Sequence, residues 1–400
     1  MHPSSPNEPD QVALARHATV RHYLDHASSV PLRPEAVVAM SAWISANHSG
    51  DPGRVHAEGH VVRDAIERAR ESVAGLVGTT PNRVVFTSGG TEAANAAIFA
   101  AGAARAGAAM ICADVEHSCV REAALRAGPV LMLAVDGQGR VDLGQLEALL
   151  ATSKGDRPAL VNCQWCNHEV GTLQPVAEVV ERCRSAGVPV HVDASAAVGH
   201  VPVDLDGLGA DLVSMSAHKL GGPPGTGVLY VRRGIRLEPF VIGGAQERAR
   251  RGGFENVIGI VGFGAAATAL SEPGRLEKER ALALQLTGEL LQAGCAAGGV
   301  TPLGDTTRRV PHIVNFAVKG VLAEAVLLGL DQEGVAAHSG SACSSESIEP
   351  SPVLAAMGVD PDRSLRLSVG WSSSQSDVDA FAGAFAKVVG RLRALGASNR

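Results

Sequence analysis

Aromatic residues are scarce in this chain, with 8 Phe, 3 Trp and 2 Tyr among 400 residues. Any core must therefore be filled by Ala, Val and Leu. Hydrophobic residues still make up 46% and charged residues only 19%, a balance that excludes a disordered chain except at its ends. A run of about twenty apolar residues is missing too, so no membrane span is expected. Basic charge is short, 35 Lys and Arg against 41 Asp and Glu, giving a net charge of −6. Without a basic patch or stripe, nucleic-acid binding has nothing to rest on. The seven cysteines, odd in number and irregular in spacing, make no disulfide framework. The amino end, MHPSSPNEPDQVALARHATV, lacks the apolar segment of a secretory signal. These absences lead to the expectation of a soluble cytoplasmic protein with reduced thiols, acting on a small molecule.

What is present is a long alternation. Residues 1–20 read as a loose tail, rich in Pro, Ser and charge and without a period. Val62, Ile66, Ala69, Val73 and Leu76 then recur at three or four residues, which predicts a helix over 61–77 with one buried stripe. After it the short apolar runs RVVFTS, AMICAD, ALVNCQW, VPVHVD, DLVSMSA and GVLYV are interleaved with helical stretches such as TEAANAAIFAAGAARAG and PVAEVVERCRSAG. Runs of that length, apolar throughout, predict strands buried on both faces of a mainly parallel sheet. A helical stretch around 262–270 leads into a second block. It contains a long helix, a strand at HIVNFAV, a helix at VLAEAVLLGL, a strand at SLRLSVG and a final helix. Four hundred residues exceed one compact core. The division expected is a large α/β domain over 36–265 and a smaller α/β domain from 21–35 with 266–400.

In such a sheet, ligands sit beyond the carboxyl ends of the strands, so the residues just after each apolar run carry the chemistry. After VVF comes TSGGTEAAN, where Gly89, Gly90 and Thr91 open a helix whose free N–H groups suit an anion; a plain turn is the alternative. After AMICADVE comes His117, either a capping residue or a functional one. Asp193 ends VPVHVD and could cap a helix, ligate a metal or face a ring nitrogen. Lys219 ends SMSAHK beside Ser216 and His218, before the turn GGPPGTG. A lysine charge resists burial there, and desolvation would make the amine a Schiff-base nucleophile. Cys343 lies among glycine and serines in SGSACSSESIEPS, after VAAH, which reads as a strand end; that is the setting of an exposed, reactive thiol. Cys163 and Cys166 form a C-x-x-C inside an apolar run with no second pair nearby, which favours a buried strand over zinc. His56 follows a DPGR turn and reads equally as a surface residue or one near the substrate. Anion cup, acidic strand end and lysine together suggest pyridoxal phosphate, bonded to Lys219 with Asp193 on its pyridinium nitrogen.

At these residues the sequence resembles the cysteine desulfurases of the NifS and IscS kind, within the class V aminotransferase superfamily. The resemblance is carried by YLDHASS, TSGGTEAAN, VEHS, NHEVGTLQP, HVDAS, SMSAHK, GGAQER, SGSACSSESIEPS and RLSVGW, nearly the whole chain. It implies fold type I of the pyridoxal-phosphate-dependent transferases. It further implies that Lys219 holds the cofactor and Asp193 pairs with its ring nitrogen. His117 would stack on the ring and transfer protons, while Gly90, Thr91, Ser216 and His218 hold the phosphate. Arg366 would grip the substrate carboxylate. Cys343 would be the nucleophile that takes sulfur from L-cysteine as a persulfide, leaving alanine. The loop around it looks like that of class I desulfurases, which pass sulfur to an acceptor protein, and the family suggests a homodimer. Several positions depart from the family. His168 stands where an asparagine usually binds the cofactor's phenolic oxygen, and Ala196 where a glutamine does. Phe254 replaces a threonine that reaches the phosphate across a dimer interface, and His26 and Asp51 replace asparagines. These departures imply an altered cofactor titration or a weaker hold. The competing readings are a related β-lyase or aminotransferase, and a degenerate scaffold member, which would have no need to keep both Lys219 and Cys343.

Overall fold

Short apolar runs that alternate with helices can bury both faces only if the helices cross over and cover the sheet. The computed structural model, which describes residues 20–152, 157–339 and 350–398, shows this arrangement. The tail over 1–19 and Cys343 lie outside the described residues. The strands in chain order are β1 (His22–Tyr23), β2 (Val84–Thr87), β3 (Met110–Ala113), β4 (Val130–Leu133), β5 (Leu160–Asn162) and β6 (Val190–Asp193). They continue with β7 (Leu212–Ser216), β8 (Gly227–Val231), β9 (Val300–Leu303), β10 (Ile313–Val318), β11 (Val335–Ala336) and β12 (Ser364–Ser368). Seven of them form one sheet in the order β2-β8-β7-β6-β5-β3-β4. Strand β8 runs antiparallel to both its neighbours, and every other adjacent pair is parallel. The expected mainly parallel sheet is therefore present, with one antiparallel strand.

The period-two alternation of strands separates two cores. Val84, Phe86, Ile111, Ala113, Val213, Met215, Val228 and Tyr230 point to one face. Val85, Met110, Cys112, Leu212, Leu229 and Val231 point to the other. The second face is covered by the helix Gly90–Ala104, through Ala93, Ala94, Ala97, Ile98 and Ala101. Alanines let that helix lie close on the sheet, which is how the chain dispenses with aromatics. On the first face the helix Val257–Leu270 packs against Ala57–Leu76 so closely that a Cβ on Gly264 would lie 2.6 Å from that of Ala69. Ala266, Ala267 and Leu270 belong to this core.

A separate core forms around an antiparallel sheet of order β12-β10-β9 and the helices Arg275–Ala296, Ala323–Gln332 and Gln375–Ser398. Three of the few phenylalanines meet here, Phe316, Phe381 and Phe385, with ring centroids 5.0 to 6.3 Å apart. Strand β1 pairs in parallel with β11, and Leu24 enters this core. No single described helix is long and apolar enough to cross a membrane.

Several elements were not expected, among them the short helices Leu205–Leu208, Gln246–Ala249 and Pro352–Ala356. Strand β4 is an edge strand with Leu131 and Met132 exposed, and β9 contains a proline, so neither shows a buried apolar run. The helices Pro34–Ser45 and Leu143–Thr152 also escaped notice. Conversely, the strand read through ALVNCQW stops at Asn162, and Cys163 and Cys166 follow it, both buried.

Candidate active site

The carboxyl ends of β2, β3, β5, β6 and β7 open into one cavity of about 460 Å³. Gly90, Thr91, His117, His168, Asp193, Ser216, His218, Lys219 and Arg366 all line it. The structure thus brings together nine of the ten site residues expected from the sequence; the tenth, Cys343, lies outside the described residues.

Each side chain is held by its element. Gly89 and Gly90 start the helix Gly90–Ala104, whose first N–H groups have no intrahelical partner and face the anion end of the cavity. A Cβ on Gly90 would stand 2.8 Å from Ser195 Oγ and 3.3 Å from Ser216 Cβ, so only glycine lets the helix start pack this close to both serines. The Ser216 hydroxyl and His218 Nδ1 are 2.8 Å apart. Burial and the Lys219 charge push His218 down to about 4, so its ring is neutral.

Asp193 ends β6. Its Oδ1 accepts the Ser195 N–H at 3.0 Å and the Ser214 hydroxyl at 3.2 Å. That fixes the carboxylate plane toward the cavity. Lys219 follows β7 in a short 3₁₀ turn, with Nζ donating to the Ala27 carbonyl and its own carbonyl 3.0 Å from His200 Nε2. The amine is therefore held between the sheet and the segment after β1.

His117 does both things the sequence left open. It caps the helix Ser118–Ala127, with Nδ1 accepting the Cys119 N–H, and its ring lines the cavity. Burial lowers its pKa, opposed by the Asp193 carboxylate. The His168 ring stands edge-on to it at 5.1 Å. Burial first, then the fields of His117, Lys219 and Arg366, hold His168 well below the ordinary histidine value. Its Nε2 is 3.7 Å from a Glu169 oxygen, but a neutral ring forms no ion pair there.

Arg366, on β12, closes the cavity from the other side and is 2% exposed. Its guanidinium donates to the His168 carbonyl at 2.9 Å, to Asp25 Oδ1 at 2.8 Å and to Ser28 Oγ at 2.7 Å. Its Nε is buried without a hydrogen-bond partner. The guanidinium brings positive charge to the cavity wall, where it suits an anionic ligand.

Sequence reasoning missed His338, Cys119, Asp25 and Ser28. His338 pairs with Arg366 through the backbone and lines the cavity, and burial lowers it to about 4. Asp25 and Ser28 sit within YLDHASS, but only the fold reveals Arg366 as their partner. Among the described residues no group of three or more His, Cys, Asp and Glu is arranged to bind an ion, and Cys163 and Cys166 are both buried. Burial pushes both thiols well up.

A parallel sheet with an anion cradle, an acidic strand end and a lysine along one edge defines the chain as a pyridoxal-phosphate-type transferase fold, and its sequence says which. Residues 22–381 match the aminotransferase class-V family, to which the chain belongs. It is 38% identical to the cysteine desulfurase of Trichormus azollae, over 93% of this chain and 94% of that protein. Among solved structures it resembles the NifS-like protein from Rickettsia africae ESF-5, with a TM-score of 0.84 and 27% identity over 92% of this chain and 99% of that one. It also resembles SspA in complex with cysteine, with a TM-score of 0.75 and 28% identity over 87% and 99% of the two chains.

The residues present fit the cofactor of this family, pyridoxal phosphate. The helix start at Gly90 lines the cavity beside Ser216 and the neutral His218, and its free N–H groups with these donors suit a phosphate. Asp193 offers a fixed carboxylate and Lys219 an amine to the same cavity.

Proposed function

We propose that this protein is a pyridoxal-phosphate-dependent cysteine desulfurase that converts L-cysteine to L-alanine and takes the sulfur onto Cys343 as a persulfide. The observation that carries the reading is Arg366, whose buried guanidinium lines the same cavity as Lys219 and Asp193. An amino-acid carboxylate suits that cation, and the guanidinium is already oriented by three hydrogen bonds. Similarity to a solved protein in complex with cysteine supports the same substrate.

When bound, pyridoxal phosphate supplies an electron sink for the α-carbon of an amino acid. Lys219 would hold it, Asp193 would keep its ring nitrogen protonated, and the helix start at Gly90 and Thr91 with Ser216 and His218 would take its phosphate. His117 would move protons beside the ring, and His168, being neutral, would have one N–H to give to the phenolic oxygen. The balance is simple: cysteine and an enzyme thiol become alanine and an enzyme persulfide.

Three further parts belong to the same proposal. The persulfide passes to an acceptor protein in the cytoplasm. The exposed apolar residues Ile242 and Phe254, in the segment after β8, support a homodimer. A separate core around β12-β10-β9 supports a smaller domain from 21–35 with 266–400 beside a large one over 36–265, whose own core also takes in Ala267, Leu270, Val353 and Leu354.

The test is to incubate the protein with pyridoxal phosphate and L-cysteine and measure alanine and sulfide. Equal amounts of both are expected in the presence of a thiol reductant. Pyruvate with ammonia in place of alanine would assign β-elimination instead. Cys343→Ser is expected to abolish sulfur release and keep the cofactor's visible absorbance; unchanged desulfuration in that variant would refute the nucleophile assignment.

A further inference from the structure

The short turn that carries Lys219 is held from outside through its carbonyls. The His218 carbonyl accepts the Val30 N–H at 3.0 Å, that of Leu220 accepts Arg33 Nε at 2.8 Å, and that of Gly221 accepts the Arg33 N–H at 2.8 Å. These donors come from the segment between β1 and the helix Pro34–Ser45. The Lys219 carbonyl, in the middle of the row, faces His200 Nε2 at 3.0 Å, from a turn beyond β6. A carbonyl can only accept, so the His200 ring carries a proton on Nε2. The approach is built into the backbone. Gly199 has a φ of +85°, and a Cβ there would lie 2.7 Å from that of Leu220, so only glycine lets the His200 turn come this near the residue after Lys219.

Against His200 lies a second imidazole. The His312 ring is stacked on it, with centroids 3.5 Å apart and planes 14° from parallel. His312 is 2% exposed and directly precedes β10, and its carbonyl accepts the Val369 N–H just past β12. The two rings therefore connect the antiparallel sheet that carries Arg366 to the turn that carries Lys219. Burial pushes His200 down to about 4, with Arg33 and His26 also opposing its charge and the Lys219 carbonyl and Glu279 favouring it. The Glu279 carboxylate is itself engaged by Arg33 and Arg275. Burial, then His200, Lys219, His26 and Arg366, hold His312 well below the ordinary histidine value. Both rings are thus neutral near pH 7, and their stack meets no like-charge repulsion.

We propose that His200 is a positioning residue for Lys219, its Nε2–H fixing the lysine's carbonyl, and that His312 is the platform that holds the ring in place. The peptide plane between Lys219 and Leu220 is then set by two side chains, His200 on one carbonyl and Arg33 on the next. That plane fixes the root of a side chain whose amine must meet the cofactor at one point of the cavity. Misplacing such a group slows the chemistry it performs. The substrate carboxylate is held from the other wall by Arg366, so its binding should be little affected. The inference rests on the reading of Lys219 as the residue that holds pyridoxal phosphate.

The test separates the donor from the ring. Glutamine at 200 keeps an N–H to give but offers no aromatic face, whereas phenylalanine keeps the face and cannot donate. In the full-length chain without cofactor, the Leu220 and Gly222 amides, which both donate to the Ala217 carbonyl, report on the turn by hydrogen exchange. Their exchange should be about tenfold faster in His200→Phe than in the native protein and close to native in His200→Gln. When pyridoxal phosphate is added, the visible band should grow about tenfold more slowly in His200→Phe and recover in His200→Gln, with borohydride reduction labelling Lys219 in each. For cysteine, kcat should follow the same order while KM stays within about twofold. His312→Ala should repeat the His200→Phe defect more weakly, and His312→Phe should recover most of it. Native exchange and band growth in His200→Phe would overturn the proposal, because packing alone predicts that result. Equal losses in His200→Phe and His200→Gln would also overturn it, by showing that the donor makes no difference. A native chain that forms no band would sink the cofactor reading instead, while the exchange contrast would still decide whether His200 holds the turn.

Discussion

The two walls of the cavity are built in different ways. On one wall Asp193, Ser216 and Lys219 each stand at or just beyond the end of a strand, and Gly90 starts a helix directly after one. Each is placed by its own strand, and the strands are locked by a core on both faces. On the other wall Arg366 is placed by Asp25, Ser28 and the His168 carbonyl, all far away in sequence. The first wall is a rigid ledge that presents groups to a cofactor. The second is a set of mutual contacts around one cation. The difference implies that damage to the first should appear in cofactor binding, and damage to the second in substrate binding.

Lys219→Ala should have the largest effect, lowering turnover at least about a thousandfold and removing the visible band of the loaded protein. Survival of the band would assign another lysine and break the account of the ledge. Next is Arg366→Lys, which keeps the charge but cannot reproduce the fork to Asp25, Ser28 and the His168 carbonyl. Steady-state kinetics should show KM for cysteine up about a hundredfold, with cofactor affinity little changed. A parallel loss of cofactor would mean that the walls are not independent. Gly90→Ala should act in the opposite sense, weakening cofactor binding about tenfold through the Cβ that meets Ser195 and Ser216. A change in KM alone would contradict that.

The smallest expected effect concerns the floor of the ledge. Glu116 is 1% exposed, with one oxygen accepting the Gln164 N–H and the other buried without a partner. Burial, and then the charge of Asp193, hold its carboxyl well above the usual range. With the folded value raised, its contribution is complete below the unfolded value near 4.5 and is lost as pH rises toward the folded one. Glu116→Gln removes that titration, so its melting temperature relative to the native protein should improve by about 2 °C between pH 5 and pH 8. A difference that stays flat with pH would show that Glu116 is ionised in the fold.

The same contrast explains what could be read without coordinates. Residues on the ledge follow short apolar runs, so a strand pattern and its next polar residue find them together; TSGGTE, HVD and SAHK are legible for that reason. Arg366 could be named only through resemblance, because no local pattern ties it to Asp25 or Ser28. Glu116 precedes His117, yet its burial and its bond from the Gln164 N–H depend on the fold, which spacing does not encode. Edge strand β4 was missed because half of it faces solvent and lacks the apolar run of its neighbours.

The pairing of β1 with β11 has a consequence for how the protein comes into being. His22 and Tyr23 leave the ribosome early, but their partners Val335 and Ala336 are made near the end. At ordinary elongation speeds the wait is about 15 to 60 s. The ledge can assemble during that interval, since β8 completes its sheet at Val231. Asp25 and Ser28 must stand by until Arg366 emerges. Nascent chains should therefore acquire the cofactor end of the site before the substrate end, and those released before β12 would carry half of an active site.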